Sequence, residues 1–453
     1  MPHALDRRRW LALAGAWALP AWAAGPARPP NVALPPLGLR QRRLANGLQV
    51  VSAVDRGSAS VSIQVWYRVG AKDDPEGRSG FAHLFEHLMF KRTRHMPSEM
   101  FDRLTEDVGG QNNAFTAEDM TVYQNEVPAN HLQRLLWAEA ERMAHLDVDQ
   151  ASFDSERQVV LEELRERVLA DPYGRLFDAL PGLIFDIHPY RRPVIGSLAD
   201  LRSARLDDVK HFHRTYYRPD NAVLIVVGDF DATELDASID RYFGRLESPA
   251  TPVPRVTVRE PVLAADRQVA LRGPQVPLPA VALLWRGPPA AHADAPALQV
   301  AAALLAAGES SRLNQALVYR QQSAQAVGFS ADLYADAGML AGYAIAAGGR
   351  KPAPLAEALL AEVRQLASAA LPPAELDKVR ARLLTAALLA HETPQGKALA
   401  IGQAMLLRGD AGQAEQELAR LQAVTATDVQ RALKTHILAA HSVRVDYTQG
   451  STT

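Results

Sequence analysis

The chain has 453 residues, a length that predicts two to four domains. Its composition, 48% apolar and 22% charged, is that of a globular protein and excludes a mostly disordered or collagen-like chain. The 49 basic and 51 acidic side chains leave a net charge of −2, which gives no general preference for nucleic acid or anionic membranes. Cysteine is absent, so disulfides and thiolate chemistry are excluded, and any metal must be bound by His, Asp, Glu or water.

The chain opens with the pattern of an export signal. Three arginines at 7–9 precede an apolar stretch over residues 10–24, which predicts a signal peptide over residues 1–24 and a periplasmic or secreted bacterial protein. The stretch is shorter than the roughly 20 residues of a membrane span, so no stable span is expected after processing. The paired arginines suit twin-arginine export and the general secretory route alike. The proline-rich residues 25–40 predict an extended lead-in without its own fold.

Residues 41–247 predict a first domain in which strands precede a group of helices. Alternating apolar residues over Leu48–Val54 and Val61–Val69 favour the two strands of a hairpin. The apolar run Ala222–Asp229 predicts a central strand that closes the domain. Helical periodicity is found between these strands at Gly80–Lys91, Pro97–Asp107, Asn130–His145, Ser152–Leu169 and Asp207–Tyr217.

A faint internal repeat indicates that a second domain duplicates the first. The segment ending at Trp66 resembles the segment ending at Trp285, and residues 222–226 resemble residues 442–446. Because both matches lie 219 or 220 residues apart, duplication is favoured over coincidence. The polar, proline-rich residues 248–256 predict a linker, followed by a second domain over residues 257–453. Its helices are expected at Leu355–Leu366, Ala374–His391 and Thr425–His436.

The helix predicted from Gly80 carries the sequence His83-Leu84-Phe85-Glu86-His87. On a helix, His83 and His87 project from one face a turn apart, which suits two imidazoles that bind one tetrahedral ion. The order H-x-x-E-H is the zinc-protease pattern in reverse. Histidines that have this spacing by chance are the alternative, and the helical context disfavours it.

A catalytic zinc site needs a third protein ligand and leaves the fourth position to water. On the acid-rich helix that follows, Glu156 and Glu163 share an otherwise apolar stripe, where an ionised carboxylate is costly unless it is paired or binds metal. Glu163 is therefore a candidate ligand, but Glu162 is its rival and spacing alone does not decide between them. Glu86 can take a proton from zinc-activated water and pass it to a leaving amine. Metal-assisted peptide hydrolysis is the chemistry that these residues favour.

The chain resembles the pitrilysin/insulinase family of inverted-motif zinc peptidases, which includes the mitochondrial processing peptidases. The resemblance covers nearly the whole chain after the signal peptide and is more specific in the first half. It is carried by Gly80-x-x-His83-x-x-Glu86-His87, by Glu156-Arg157-x-Val159-Val160-x-x-Glu163, by Asn112–Thr116, by His188–Gly196 and by Tyr217–Asp229.

The resemblance implies one Zn²⁺ per chain, with His83, His87 and Glu163 as its ligands. It also implies Glu86 as the general base and Glu156 as a supporting catalytic acid. The implied fold is α+β, with two homologous α/β sandwich halves, each an antiparallel-rich sheet covered by helices. The catalytic site is expected in the first half and no metal in the second.

The resemblance further implies a substrate-binding strand at Asn113, Ala114 and Phe115. In the family this strand is an exposed edge that holds a peptide as an additional strand through backbone hydrogen bonds. For Asn113 the alternative is a turn residue after Gly109-Gly110.

The second half departs from the pattern in two places. Leu298–Ala302 stands where the repeat would place the histidine motif, so this half cannot bind metal in the same way. Family members often supply there an Arg and a Tyr that contact substrate; here Arg320 is present, but Phe329 replaces the tyrosine. A phenyl ring cannot donate a hydrogen bond to an oxyanion. A second family member, in a homodimer or a heterodimer, is therefore expected to supply the Arg/Tyr pair.

The expected function is that of an exported zinc-dependent endopeptidase that hydrolyses peptides or unfolded protein segments. A non-catalytic interaction subunit of a peptidase-like complex is the alternative, and the intact histidine motif disfavours it. A periplasmic zinc carrier is a third possibility, disfavoured because the expected ligands lie on helices and no His-rich loop is present.

Overall fold

The structure is a computed structural model that describes residues 33–450. It contains two mixed β-sheets with helices on their faces, which confirms the predicted α+β class and its two similar halves. The predicted signal peptide and the first part of the proline-rich lead-in lie outside the described residues. No helix within residues 33–450 is long and apolar enough to cross a membrane.

The first sheet has six strands in the order β1-β2-β6-β3-β5-β4. All seven residues of β6 are buried, because helices cover both faces of the sheet at its centre. The predicted central strand is thus found where expected. The strands are β1 (Arg40–Arg43), β2 (Gln49–Val54), β3 (Ser60–Tyr67), β4 (Gln111–Thr116), β5 (Thr121–Pro128) and β6 (Ala222–Gly228).

The predicted hairpin of the first half is wrong. Both of its strands exist as β2 and β3, but β6 lies between them, parallel to β2 and antiparallel to β3. The uniformly apolar β6 can be buried on both faces only in the middle of the sheet, so it separates two strands that are neighbours in sequence.

The described part of the first half forms eight helices, and the helices near the site pack on one face of the first sheet through the larger core of this half. α4 begins at an Asp149 cap, whose side chain accepts the backbone N–H of Ser152. It continues into a π-helical segment at Arg165–Ala170. The helices are α1 (Phe81–Leu88), α2 (Met100–Glu106), α3 (Leu132–His145), α4 (Gln150–Leu164), α5 (Gly174–Ile184), α6 (Leu198–Ser203), α7 (Leu206–Tyr216) and α8 (Ala232–Tyr242).

The second sheet repeats the topology of the first. Its order, β7-β11-β8-β10-β9, matches β2-β6-β3-β5-β4 strand for strand. The strands that carry Trp66 and Trp285 each pair antiparallel with the last strand of their own half. The repeat read from two short segments is therefore present in the whole sheet. The strands are β7 (Arg267–Gly273), β8 (Ala280–Gly287), β9 (Ala324–Leu333), β10 (Gly338–Ala346) and β11 (Val443–Gln449).

The described part of the second half forms six helices, and the three that were predicted here are among them. π-helical segments follow at Asn314–Arg320 and Lys434–Leu438. The helices are α9 (Ala295–Ala306), α10 (Pro352–Ser368), α11 (Pro373–Ala390), α12 (Pro394–Arg408), α13 (Gln413–Ala423) and α14 (Ala426–Leu433).

Each sheet has one face covered by a helix from the other half of the chain. α12 packs on the first sheet around Trp66, and α5 packs on the second sheet beside Val445. Gly402 of α12 lies directly against the Trp66 indole, and a Cβ built there would be 2.1 Å from its Cε2 atom. The two halves are therefore joined by reciprocal apolar packing as well as by the chain between them.

Candidate metal centre

The first helix of the site, α1, has a firmly held N-terminus. The buried Asp74 carboxylate accepts the backbone N–H groups of Gly80 and Ala82, each at 2.8 Å. Gly80 has φ of 89°, and a Cβ at this position would lie 2.6 Å from the Ile195 carbonyl oxygen. The start of α1 is therefore fixed against a neighbouring loop, and the direction in which its side chains project is fixed with it.

The structure brings His83, His87 and Glu163 together. The histidine rings lie one helical turn apart with centroids 5.0 Å from each other, and Glu163 comes from α4. Its Oε2 atom is 3.6 Å from His83 Nε2 and 3.5 Å from His87 Nε2. One ligand atom from each of the three residues lies within 4.8 Å of the others.

These three residues fit Zn²⁺ both in chemistry and in spacing. Two atoms that each lie about 2.1 Å from a tetrahedral zinc ion are about 3.4 Å apart, close to the distances seen between Glu163 and the two rings. These distances are also too long for hydrogen bonds. His83 Nε2, the nitrogen that faces Glu163, makes no hydrogen bond within residues 33–450 and is free to bind the ion. Burial lowers the pKa of His83 to about 3, which keeps the imidazole neutral.

A second cluster, in the other half, differs because its polar atoms are already hydrogen-bonded to one another. His292, Asp294 and His436 also bring ligand atoms within 4.8 Å of one another. Here, however, His436 Nε2 lies 3.0 Å from the Asp294 carboxylate, which also pairs with Arg431, and His292 Nδ1 accepts the Asp294 N–H at 3.0 Å. Because hydrogen bonds already satisfy these groups, the cluster is explained as a tie between α9 and the end of α14.

The rival ligand Glu162 points away from the histidines. Its side chain is 59% exposed and pairs with Arg165, whereas Glu163 is 18% exposed and faces the two imidazoles. The second carboxylate oxygen of Glu163 is 2.8 Å from Arg167, which lies in the π-helical segment after α4. Of the two candidates left open by spacing, the structure places Glu163 at the cluster.

Glu156 lies behind His87. Its Oε2 atom is 3.5 Å from His87 Nδ1, and its Oε1 atom is 2.8 Å from the Lys91 ammonium group. A carboxylate in contact with the second nitrogen of a ligating imidazole fixes the orientation of the ring. Glu156 thus contacts the cluster from outside, where the resemblance placed its supporting acid. Lys91, which holds this carboxylate in place, was not singled out from the sequence.

Glu86 is held by a residue that the sequence analysis assigned no role. The Thr116 hydroxyl, at the end of β4, donates a 2.6 Å hydrogen bond to Glu86 Oε2. Burial raises the pKa of Glu86. Side chains alternate along β4, so Thr116 lies on the face opposite to Phe115, which packs on Trp66 beneath α12. The contact between Thr116 and Glu86 could therefore have been predicted from this alternation, but only after β4 had been placed beside α1.

Asn113, Ala114 and Phe115 lie on β4, at one edge of the first sheet. β4 pairs with β5 alone, so its other edge has no partner strand within residues 33–450. Asn113 Oδ1 accepts the N–H of Ala114, and Phe115 packs edge-on against Trp66 with ring centroids 6.0 Å apart. The turn considered for Asn113 is wrong, because this residue is in the strand.

Arg320 is in the second half, at the end of a π-helical segment. It is exposed, lines a cavity of about 260 Å³ with Arg312 and Glu375, and makes no hydrogen bond or ion pair within the described part of the chain. Tyr319 is 49% exposed, and Phe329 stacks on Trp285 with centroids 6.3 Å apart. No hydrogen bond or ion pair within residues 33–450 joins Arg320 to the histidine cluster, so its substrate-binding role stays a prediction.

Two histidines and a glutamate that meet on paired helices form a ligand set of the kind that zinc metallopeptidases use, and comparison with known proteins supports that class. The description "Insulinase (Peptidase family M16)" matches residues 49–197, and "Peptidase M16 inactive domain" matches residues 203–383. The chain belongs to this insulinase family, M16, as the resemblance to pitrilysin and insulinase indicated.

Individual relatives support the same assignment. The zinc protease PqqE of Helicobacter pylori is 34% identical over 74% of this chain and 76% of its own length. The β subunit of the mitochondrial-processing peptidase of Saccharomyces cerevisiae is 23% identical over 86% of this chain and 87% of its own. A crystal structure of a protease from Helicobacter pylori superposes with a TM-score of 0.87 and 28% identity, covering 90% of this chain and 99% of that one.

Proposed function

We propose that this protein is an exported zinc-dependent endopeptidase that hydrolyses peptides or unfolded protein segments. The observation that carries the proposal is the convergence of His83, His87 and Glu163 around a point beside Glu86. The export signal predicted over residues 1–24 is the reason to propose that the mature protein lies in a bacterial periplasm or outside the cell.

The chemistry follows from what each side chain can do. His83, His87 and Glu163 would hold Zn²⁺, whose Lewis acidity polarises a peptide carbonyl and lowers the pKa of water. Glu86, whose Oε2 atom accepts the Thr116 hydrogen bond, would take the proton of the attacking water and later deliver it to the leaving amine. Glu156 and Lys91 keep the His87 ring oriented.

The substrate is proposed to bind along β4. An extended peptide can pair with the free edge of this strand through backbone hydrogen bonds, which tolerate many side chains. Asn113, Ala114 and Phe115 would then lie beside the peptide, and Thr116 links the same strand to Glu86. This arrangement favours unfolded segments as substrates, because a folded protein cannot present a free strand.

A second family member is proposed to complete the site. Phe329 cannot donate a hydrogen bond to an oxyanion, and Tyr319 is an exposed neighbour of Arg320 that makes no hydrogen bond within residues 33–450. A partner chain that supplies an Arg/Tyr pair would provide the missing donor. The catalytic domain would be residues 41–247, the linker residues 248–256, and residues 257–453 a domain without metal.

The proposal is tested on the mature protein purified from a bacterial periplasm. We expect one Zn²⁺ per chain by metal analysis and cleavage of an unstructured peptide, because three protein ligands leave one position open. A chelator should abolish cleavage, and added Zn²⁺ should restore it. Equal cleavage by the metal-free protein would contradict the zinc mechanism. Full activity in a preparation whose mass is that of a monomer would contradict the proposed partner chain but not the zinc mechanism.

Thr116→Val is expected to lower kcat by about tenfold to a hundredfold, because Glu86 loses the hydrogen bond that fixes the direction of its carboxylate. KM and zinc content should stay the same, since valine keeps the shape of threonine. Steady-state kinetics with a single peptide measures both constants. Thr116→Ser, which keeps the hydroxyl, should recover most of kcat; a serine variant as slow as the valine variant would show that Thr116 acts only through packing.

A further inference from the structure

The first half contains a cavity of about 730 Å³ that is lined by none of the metal-centre residues. It lies among α3, α7, α8 and the segment that follows α8. Its volume is within the range of pockets that enclose small organic ligands. Its apolar wall is formed by Trp137, Met143, Tyr217, Tyr242, Leu246 and Pro249.

The rim of this cavity is rich in unpaired positive charge. Arg214, Arg241 and Arg245 line it, and none of them makes an ion pair or hydrogen bond within residues 33–450. Of the two acids on the wall, Glu141 is already bound to Thr93 and His95, which leaves Glu247 against three guanidinium groups. The unpaired side chains around the cavity therefore carry a net positive charge.

His213 also lines the cavity. Its ring stacks on Phe85 of α1, with centroids 5.5 Å apart and an angle of 27° between the planes. It also stacks on Tyr217, with an angle of 21°. Together with Trp137, Tyr217 and Tyr242, His213 gives the cavity an aromatic lining that suits a ring or an acyl chain.

We propose that this cavity binds a small organic anion that combines an apolar, ring-sized body with a carboxylate. The body would lie against the aromatic lining, and the carboxylate would accept hydrogen bonds from the arginines, whose planar guanidinium groups suit that geometry. A divalent cation is disfavoured by the three arginines. A neutral apolar ligand would leave them without a role.

The experiment uses the full mature chain and isothermal titration calorimetry with 2-naphthoate. We expect saturable binding of one molecule per chain, at least about tenfold tighter than binding of the neutral isostere 2-naphthamide, because the amide carries no charge for the arginines. The double variant Arg241→Gln/Arg245→Gln should weaken naphthoate binding by about tenfold or more. Arg202→Gln, which removes another exposed and unpaired arginine, should leave it unchanged.

A carboxylate can also bind zinc, so the titration is repeated with His83→Ala. Equal affinity in this variant is expected, since His83 is not part of the cavity. Loss of binding in His83→Ala would place the naphthoate at the metal centre and overturn the proposal. The absence of saturable binding, equal affinity for the amide, or indifference to the two arginine substitutions would overturn it as well. None of these results depends on peptidase activity.

Discussion

Glu86→Gln is expected to keep one Zn²⁺ per chain and to lose peptide hydrolysis, with kcat lower by about 10²–10⁴-fold. Glutamine has the shape of glutamate and can still accept the Thr116 hydrogen bond, but its amide cannot take a proton from water at neutral pH. His83, His87 and Glu163, which would bind the metal, are unchanged. Metal analysis and steady-state peptide cleavage on the same preparation measure the two properties separately.

Glu162→Gln is the matched control for this variant. Glu162 is an exposed glutamate on α4 that pairs only with Arg165, so the substitution should leave both zinc and activity intact. Loss of zinc in Glu162→Gln would mean that the third ligand has been misassigned. If Glu86→Gln cleaves as fast as the wild type, the mechanism is wrong. If neither the wild type nor the variant cleaves peptides, the alternative of a non-catalytic subunit is favoured.

The parts of the site that sequence could predict are those held within one helix. The 3.6-residue period places His83 and His87 on one face before any tertiary contact is considered, and the structure has them there. The choice between Glu163 and Glu162 depends on how α4 is rotated against α1, which neighbouring residues in a sequence do not reveal. Thr116 contacts Glu86 across 30 residues of chain, and that contact requires the edge strand to be placed first.

The same difference between local patterns and long-range contacts separates the parts of the fold that could be predicted from those that could not. β2 and β3 were each predicted from their alternating residues, but their pairing was not, because the strand between them comes from more than 150 residues later in the chain. The exchange of α5 and α12 between the halves was also not foreseen. A duplicated sequence suggests two self-contained domains, whereas each sheet here needs a helix from the other half to cover its second face.

Gly402→Val is expected to lower the free energy of unfolding by about 3 kcal/mol or more. Gly402 is buried in α12, and the first added carbon would already overlap the fully buried Trp66 indole. Trp66 cannot move aside easily, because its Nε1 atom donates a 2.9 Å hydrogen bond to Gln64, whose own amide donates to the Gln395 carbonyl at the start of α12. Thermal and urea unfolding monitored by circular dichroism measures the change.

Gln403→Val separates this clash from the effect of valine on the helix. Gln403 is the next residue of α12 and is exposed, so its variant carries the same β-branched side chain without meeting Trp66. Its stability should stay within about 1 kcal/mol of the wild type. The stability of Gly402→Ala should lie between those of the two variants. Alanine overlaps Trp66 less than valine does, and its better helix propensity offsets part of that overlap. Equal stability of Gly402→Val and Gln403→Val would mean that α12 does not pack on the first sheet through this contact. A large difference would show that the first half depends for its stability on a helix from the second half.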